Sequence, residues 1–156
     1  MKIAAVSDTH RYKPSITKVI NRIQDMDIVI HLGDNVEDAA EISKFYNGRI
    51  INVKGNCDFG IETPSEKIEI IGEKRFFITH GHRYDVKYGI SRLKYKALEL
   101  NADVVLFGHT HVSEITFENG VWFVNPGSPS LSRDGFNSIA VINIDNNKVS
   151  PSIINI

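Results

Sequence analysis

The chain has 156 residues, 42% of them hydrophobic and 24% charged, enough apolar material for one folded core and too much for a disordered segment. No apolar run approaches the ~20 residues that a membrane-spanning helix needs, and a net charge of −1 excludes the basic footprint of a nucleic-acid polymer binder. Cys57 is the only cysteine, which excludes an internal disulfide; with an opening MKIAAVS that lacks signal-peptide features, it makes a reducing cytoplasm the expected location.

A single domain over residues 1–156 is expected. Residues 2–7 (KIAAVS) read as a buried strand. A helix follows over Pro14–Gln24, where Ile16, Val19, Ile20 and Ile23 recur at helical spacing and Pro14 is tolerated in the first turn. Residues 27–32 (DIVIHL) form the next strand, Val36–Tyr46 a short helix closed by Asn47-Gly48, and Arg49–Lys54 a third strand. This β-α-β-α-β order implies parallel strands joined by crossover helices.

The second half is richer in strands. Lys67–Ile71 and Arg75–Thr79 flank a hairpin-like loop, Gly72-Glu73-Lys74. A helix is expected over Val86–Leu100, with Val86, Ile90, Leu93, Ala97 and Leu100 on one face. Residues 103–107 form a buried strand. Glu114–Glu118 and Val121–Asn125 flank Asn119-Gly120, a type I′ hairpin signal, and Ser138–Ile144 pairs with Val149–Ile154 across Asp145-Asn146-Asn147. The expected architecture is α/β, with two stacked sheets and the helices outside.

Five of these apolar runs are followed by a short cluster of metal-compatible donors. The clusters are Asp8 and His10 in SDTH, Asp34 in GDN, Asn56 in GNCD, His80 in HGH, and His109 and His111 in GHTH. Loops at the C-terminal ends of strands are where open α/β sheets place ligands. Alone, D-x-H is uninformative, and GDN or GNCD reads as a turn. Together they point to divalent metal chemistry, because carboxylate, imidazole and amide oxygen suit hard or borderline ions. In an extended strand end, residues i and i+2 point the same way, so Asp8 and His10 could reach one ion; His109 and His111 repeat that spacing. Gly108 lets the backbone pass close to the pocket, and the two oxygens of Asp34 can bridge two ions.

The series D-x-H, G-D-N, G-N-C-D, H-G-H and G-H-T-H resembles the calcineurin-like metallophosphoesterases, over Asp8 to His111 and again at NPGSPS (residues 125–130). The Cys in GNCD resembles the small archaeal and bacterial phosphodiesterases. The resemblance implies a four-layer αββα sandwich of two mixed sheets. It implies a first ion on Asp8, His10 and His111, a second on Asn56, His80 and His109, and Asp34 as the bridge. Asp34, Asn56 and His109 are then also the expected catalytic residues. The ions are Mn²⁺, Ni²⁺, Fe, Co²⁺ or Zn²⁺, with Mn²⁺ favoured. The implied reaction is in-line attack of a metal-activated water on a small phosphorylated substrate, most simply a diester. Two alternatives stand beside it: a phosphomonoesterase or nucleotidase using the same ions, and an interaction module like the retromer subunit of the superfamily.

Cys57 departs from the GNHE or GNHD pattern, whose His is thought to protonate the leaving group. A thiol with a reference pKa of about 8.5 is a poorer acid near neutrality. Cys57 is expected as a small buried filler. His31, in an apolar strand, reads as a core or supporting histidine. His82 could touch substrate or orient His80; Asn35 and Asp58 could support the ligands. Ser128 and Arg133 lie on a loop that reads as plain surface rather than a phosphate site. Arg83, Lys87, Arg92, Lys94 and Lys96 read as solvated helix flanks. Trp122 is expected in the core; exposed, it would favour a homo-oligomer.

Overall fold

The computed structural model describes residues 1–156. Ten strands form two five-stranded mixed sheets. The first has the order β10 (Lys148–Asn155), β9 (Ser138–Asp145), β1 (Lys2–Val6), β2 (Ile28–His31), β3 (Arg49–Asn52). The second has the order β4 (Glu66–Ile71), β5 (Lys74–Thr79), β6 (Val104–Leu106), β8 (Val121–Pro126), β7 (Ser113–Glu118). In each sheet three strands run parallel: β1, β2 and β3 in one, β5, β6 and β8 in the other.

The strands read as near-continuous apolar runs because both of their faces are covered. In β1, Ile3 and Ala5 face the second sheet, in one cluster with Phe76, Ile78, Leu106 and Val124. Ala4 and Val6 face outward, against Ile16 and Val19 of α1 (Lys13–Arg22), Ile23 just after it, and Ile42 of α2 (Glu37–Ser43). The second sheet repeats the pattern: Phe77, Val105 and Phe123 face Leu93 and Ala97 of α3 (Ser91–Glu99). The period-two alternation thus splits three apolar layers between two sheets and three helices, as expected of an αββα sandwich.

The expected helix over Val86–Leu100 is broken. A 3₁₀ turn covers Val86–Tyr88 and the α-helix starts only at Ser91. Gly89 lies between them at φ 131°, a conformation no helix contains and one that a residue with a Cβ resists. The apolar face survives the break, because Val86 and Ile90 still pack on the same cluster as Leu93, Ala97 and Leu100. Two hairpin loops are one residue shorter than their sequence suggests. Lys74 pairs with Ile71, and Asp145 with Lys148, so two-residue loops remain at Gly72-Glu73 and Asn146-Asn147. Like Asn119-Gly120, both have positive φ at each residue, the twist that suits right-handed strand pairs. No helix is long and apolar enough to cross a membrane.

Candidate metal centre

The C-terminal ends of β1, β2, β3, β5 and β6 carry SDTH, GDN, GNCD, HGH and GHTH respectively; parallel pairing aligns the clusters within each sheet, and the stacking of the two sheets brings all five to one end of the sandwich. The polar atoms fall into two groups. Asp8, His10 and His111 form one; Asp34, His80 and His109 form the other. Within each group the candidate ligand atoms lie within 4.8 Å of one another. The two groups adjoin: Asp8 Oδ1 is 3.2 Å from His111 Nε2, 3.9 Å from His80 Nε2 and 4.0 Å from His10 Nε2. His80 Nε2 is 3.4 Å from Asp34 Oδ1.

The imidazoles are pre-oriented. His80 Nδ1–H donates to the Leu32 carbonyl at 2.9 Å, and His111 Nδ1–H to the Leu131 carbonyl at 2.8 Å. When neutral, each ring so anchored carries its lone pair on Nε2, facing the centre, the tautomer that metal ligation needs. His111 Nε2 also lies 3.2 Å from His10 Nε2. At the middle, Asp8 Oδ1 and His80 Nε2 are fully buried and make no hydrogen bond. Unsatisfied buried acceptors are expensive. Two such atoms, 3.9 Å apart, fit a cation.

The electrostatics agree. Burial alone would raise the Asp8 carboxyl, but the contact with His111 and the neighbouring His80 imidazole hold it down at about 2. His111 is raised above the usual imidazole range by the Asp8 carboxylate beside it. His109 is pushed down to about 4, chiefly by burial and then by His80 and Lys87, so its ring is neutral at physiological pH.

The backbone that achieves this is not the extended strand end the spacing suggests. Asp8, His10, Asp34, His109 and His111 all have positive φ, between 49° and 72°. Such conformations are strained for residues with a Cβ and persist where surroundings over-determine them. His109 and His111 fall into different groups, whereas Asp8 and His10, with the same left-handed backbone, share one. Close approach is enforced by glycine: a Cβ on Gly108 would lie 2.0 Å from Ser7 Oγ, and one on Gly55 would lie 2.1 Å from Asp34 Oδ1.

Beside these groups, Cys57 and Ser128 fall differently from their sequence reading. Asn56 is exposed at the rim, its amide nitrogen 3.5 Å from Cys57 Sγ; Cys57 N–H donates to Asp34 Oδ1 at 2.9 Å and holds this loop beside the second group. Cys57 is not a buried filler but an exposed residue at that rim. Its thiol is pushed up to about 11 by partial burial of the sulfur and by the carboxylate of Asp34. The Ser128 loop is not plain surface. Ser128 is fully buried; its hydroxyl donates to the Asp8 carbonyl at 2.8 Å and accepts from the N–H groups of Ser130 and Leu131. Asn125 likewise ties Gly108 and Thr110 together through its amide nitrogen. NPGSPS is thus a buried buckle around the Asp8 and GHTH loops.

His31 is a core histidine, kept neutral by burial; its Nδ1 accepts from Gly33 N–H and its Nε2–H donates to Thr9. His82 sits with its ring 5.4 Å from His80 and 6.1 Å from His109. Arg92, Lys94 and Lys96 are engaged in ion pairs with Asp85, Glu118 and Glu99, as solvated flanks should be. Trp122 is half-buried against the inter-sheet core and tilts against Phe117, at the opposite end of the strands. Sequence reasoning missed Asp38. It is buried on α2 and accepts the N–H of Arg11, pinning the SDTH loop; an acid near the start of a helix gave no signal of that.

The sequence pattern of the calcineurin-like phosphoesterase superfamily domain matches residues 1–147. A probable metallophosphoesterase of Bacillus subtilis is 32% identical over 149 residues, spanning 94% of this chain and 86% of that protein. A phosphodiesterase of Methanocaldococcus jannaschii is 32% identical over 164 residues, spanning 93% and 94%. Among solved structures, a predicted phosphoesterase from Streptococcus pneumoniae superposes with TM-score 0.84 at 29% identity, over 99% of this chain and 88% of that one. Vps29 of Entamoeba histolytica complexed with zinc superposes with TM-score 0.77 over 99% of each chain, at 21% identity, a likeness of fold alone.

Proposed function

This chain belongs to the calcineurin-like phosphoesterase superfamily, and we propose that it is a phosphodiesterase working with two divalent ions. The observation that carries the reading is the pair of adjoining donor groups, with the bare acceptors Asp8 Oδ1 and His80 Nε2 at their centre. Asp8, His10 and His111 would hold the first ion. His80, His109 and Asn56 would hold the second, and Asp34 would bridge. Two such ions supply Lewis acidity toward a phosphoryl oxygen and lower the pKa of water.

The chain's own residues prepare that chemistry. The carbonyls of Leu32 and Leu131 fix the tautomers of His80 and His111. His109, neutral at physiological pH, keeps its lone pair free. Asp8, ionised down to about pH 2, keeps negative charge at the centre. A diester with an acidic leaving alcohol suits the site, because the residue beside Asn56 is a thiol held protonated up to about 11, a weak proton donor at neutral pH.

The scaffold alternative draws on the Vps29 fold. Since a Vps29 holds zinc, metal content alone does not separate the two readings, and turnover must. The deciding experiment is a matched panel of aryl and alkyl mono- and diesters with Mn²⁺, Ni²⁺ and Mg²⁺. Metal-dependent hydrolysis of diesters supports the proposal. Faster turnover of monoesters would favour the phosphomonoesterase reading, and no turnover with full metal loading would favour a scaffold.

A further inference from the structure

GNCD ends on a carboxylate that belongs to neither donor group, yet it makes more backbone hydrogen bonds than any other side chain near the centre. Asp58 is 7% exposed. Its Oδ1 accepts the N–H groups of Asn35 and Val36, each at 2.8 Å. Its Oδ2 accepts those of Asp34 at 3.0 Å and Gly55 at 2.8 Å. Three of the donors are consecutive, and they converge because Gly33, Asp34 and Asn35 all take positive φ, at 100°, 55° and 71°. Successive N–H groups turned to one side form a concavity that binds an anion. Here the chain supplies the anion from the neighbouring loop.

The lock is reciprocal. Asp58 takes the N–H of Asp34, while Asp34 takes the N–H of Cys57, the residue before Asp58. The GDN and GNCD loops are thereby joined at two points. Gly33 and Gly55 allow the contact, since a Cβ on Gly33 would lie 2.4 Å from the Gly55 nitrogen. The two residues so aligned, Asp34 and Asn56, come from different strands. Without an intervening tie, their relative placement would rest on a strained turn and an exposed one.

We propose that Asp58 is a positioning residue for the second ion: by filling the concavity of the GDN loop from the GNCD loop, it sets the placement of Asp34 and Asn56 against His80 and His109. The inference rests on the two-ion reading above. An amide in its place presents an NH₂ group to N–H donors, so Asp58→Asn breaks part of the lock with little change in size. Asp58→Glu keeps the charge, moves the carboxylate by one methylene, and is the second variant should the first fail to fold.

The test is a Co²⁺ titration followed by the paramagnetically shifted imidazole signals of His80 and His109 against those of His10 and His111. Losing a residue that orients ligands costs about 10–100-fold in metal affinity. The midpoint at His80 and His109 is expected to move by about that factor in both variants, and the midpoint at His10 and His111 by clearly less. An unchanged midpoint at His80 and His109, or an equal shift at all four histidines, overturns the inference. If the wild-type protein shows no shifted His80 and His109 signals, it is the two-ion reading that fails. Amide exchange in the metal-free protein then decides separately for Asp58. The N–H groups of residues 34, 35, 36 and 55 are expected to exchange about tenfold faster or more in Asp58→Asn, and unchanged exchange would rule the lock out.

Discussion

His80 Nε2 and Asp34 Oδ1 face each other at 3.4 Å from the ends of strands in different sheets, one a bare lone pair and the other a carboxylate oxygen. Neither gains from the contact while nothing lies between them. A cation would satisfy both, which makes Asp34 the residue whose loss should be felt most.

Replacing Asp34 with Asn keeps the shape and removes the charge. The expected result is a fall in kcat/KM of at least about 10-fold, with reduced metal content and an unchanged circular dichroism spectrum. Elemental analysis with steady-state kinetics provides the check. Wild-type turnover at wild-type metal content would remove Asp34 from the bridging role.

The two donor groups should respond differently to acid. His111 is raised by Asp8, so metal must displace a proton from it at pH values where a free imidazole is already neutral. Its group therefore loses affinity as pH falls through that raised value, by about tenfold per unit below it. His109, at about 4, does not compete for protons until far lower pH. Titrations between about pH 8 and 5, in buffers of different ionisation enthalpy, should show proton release on binding at the Asp8 group and weakening there first. Equal weakening of both sites would contradict this ordering.

Gly108→Ala should destabilise the protein by about 1–3 kcal/mol, because the new methyl meets Ser7 Oγ. That hydroxyl is buried and helps hold the Asp8 carboxyl down, so Ser7→Ala alone should cost about 0.5–1.5 kcal/mol. The double variant should recover part of the loss. Thermal unfolding of all four proteins gives the coupling. Additive effects would mean that the clash is relieved elsewhere.

Ser128→Ala leaves the N–H groups of Ser130 and Leu131 without their acceptor. A cost of about 1–3 kcal/mol is expected. The Leu131 carbonyl holds His111, so metal affinity at the Asp8 group should fall as well. Unchanged melting temperature and unchanged affinity would return NPGSPS to the status of an ordinary loop.

Cys57→His places a better acid at the rim of the site. It should raise kcat/KM for alkyl diesters more than for aryl ones, since an aryl leaving group departs without protonation. Matched substrates in both proteins measure the difference. A gain confined to the aryl substrate would remove leaving-group protonation as the reason for the diester preference.

The strands and the donors at their ends were legible in the sequence, because a strand covered on both faces needs a continuous apolar run and a loop at its C-terminal end is free to carry chemistry. Asn119-Gly120 was legible as a turn because both residues tolerate positive φ. The fate of His109 and His111 was not. Their spacing pointed both to one ion; only the resemblance separated them, and the structure places them in different donor groups. The break at Gly89 also escaped periodicity, since the apolar face is continuous across it. The roles of Asp58, Ser128 and Asp38 each include a hydrogen bond to backbone between 22 and 120 residues away. Side-chain types state what a residue can bind. Which strained turn it holds is decided only when distant strands are brought side by side.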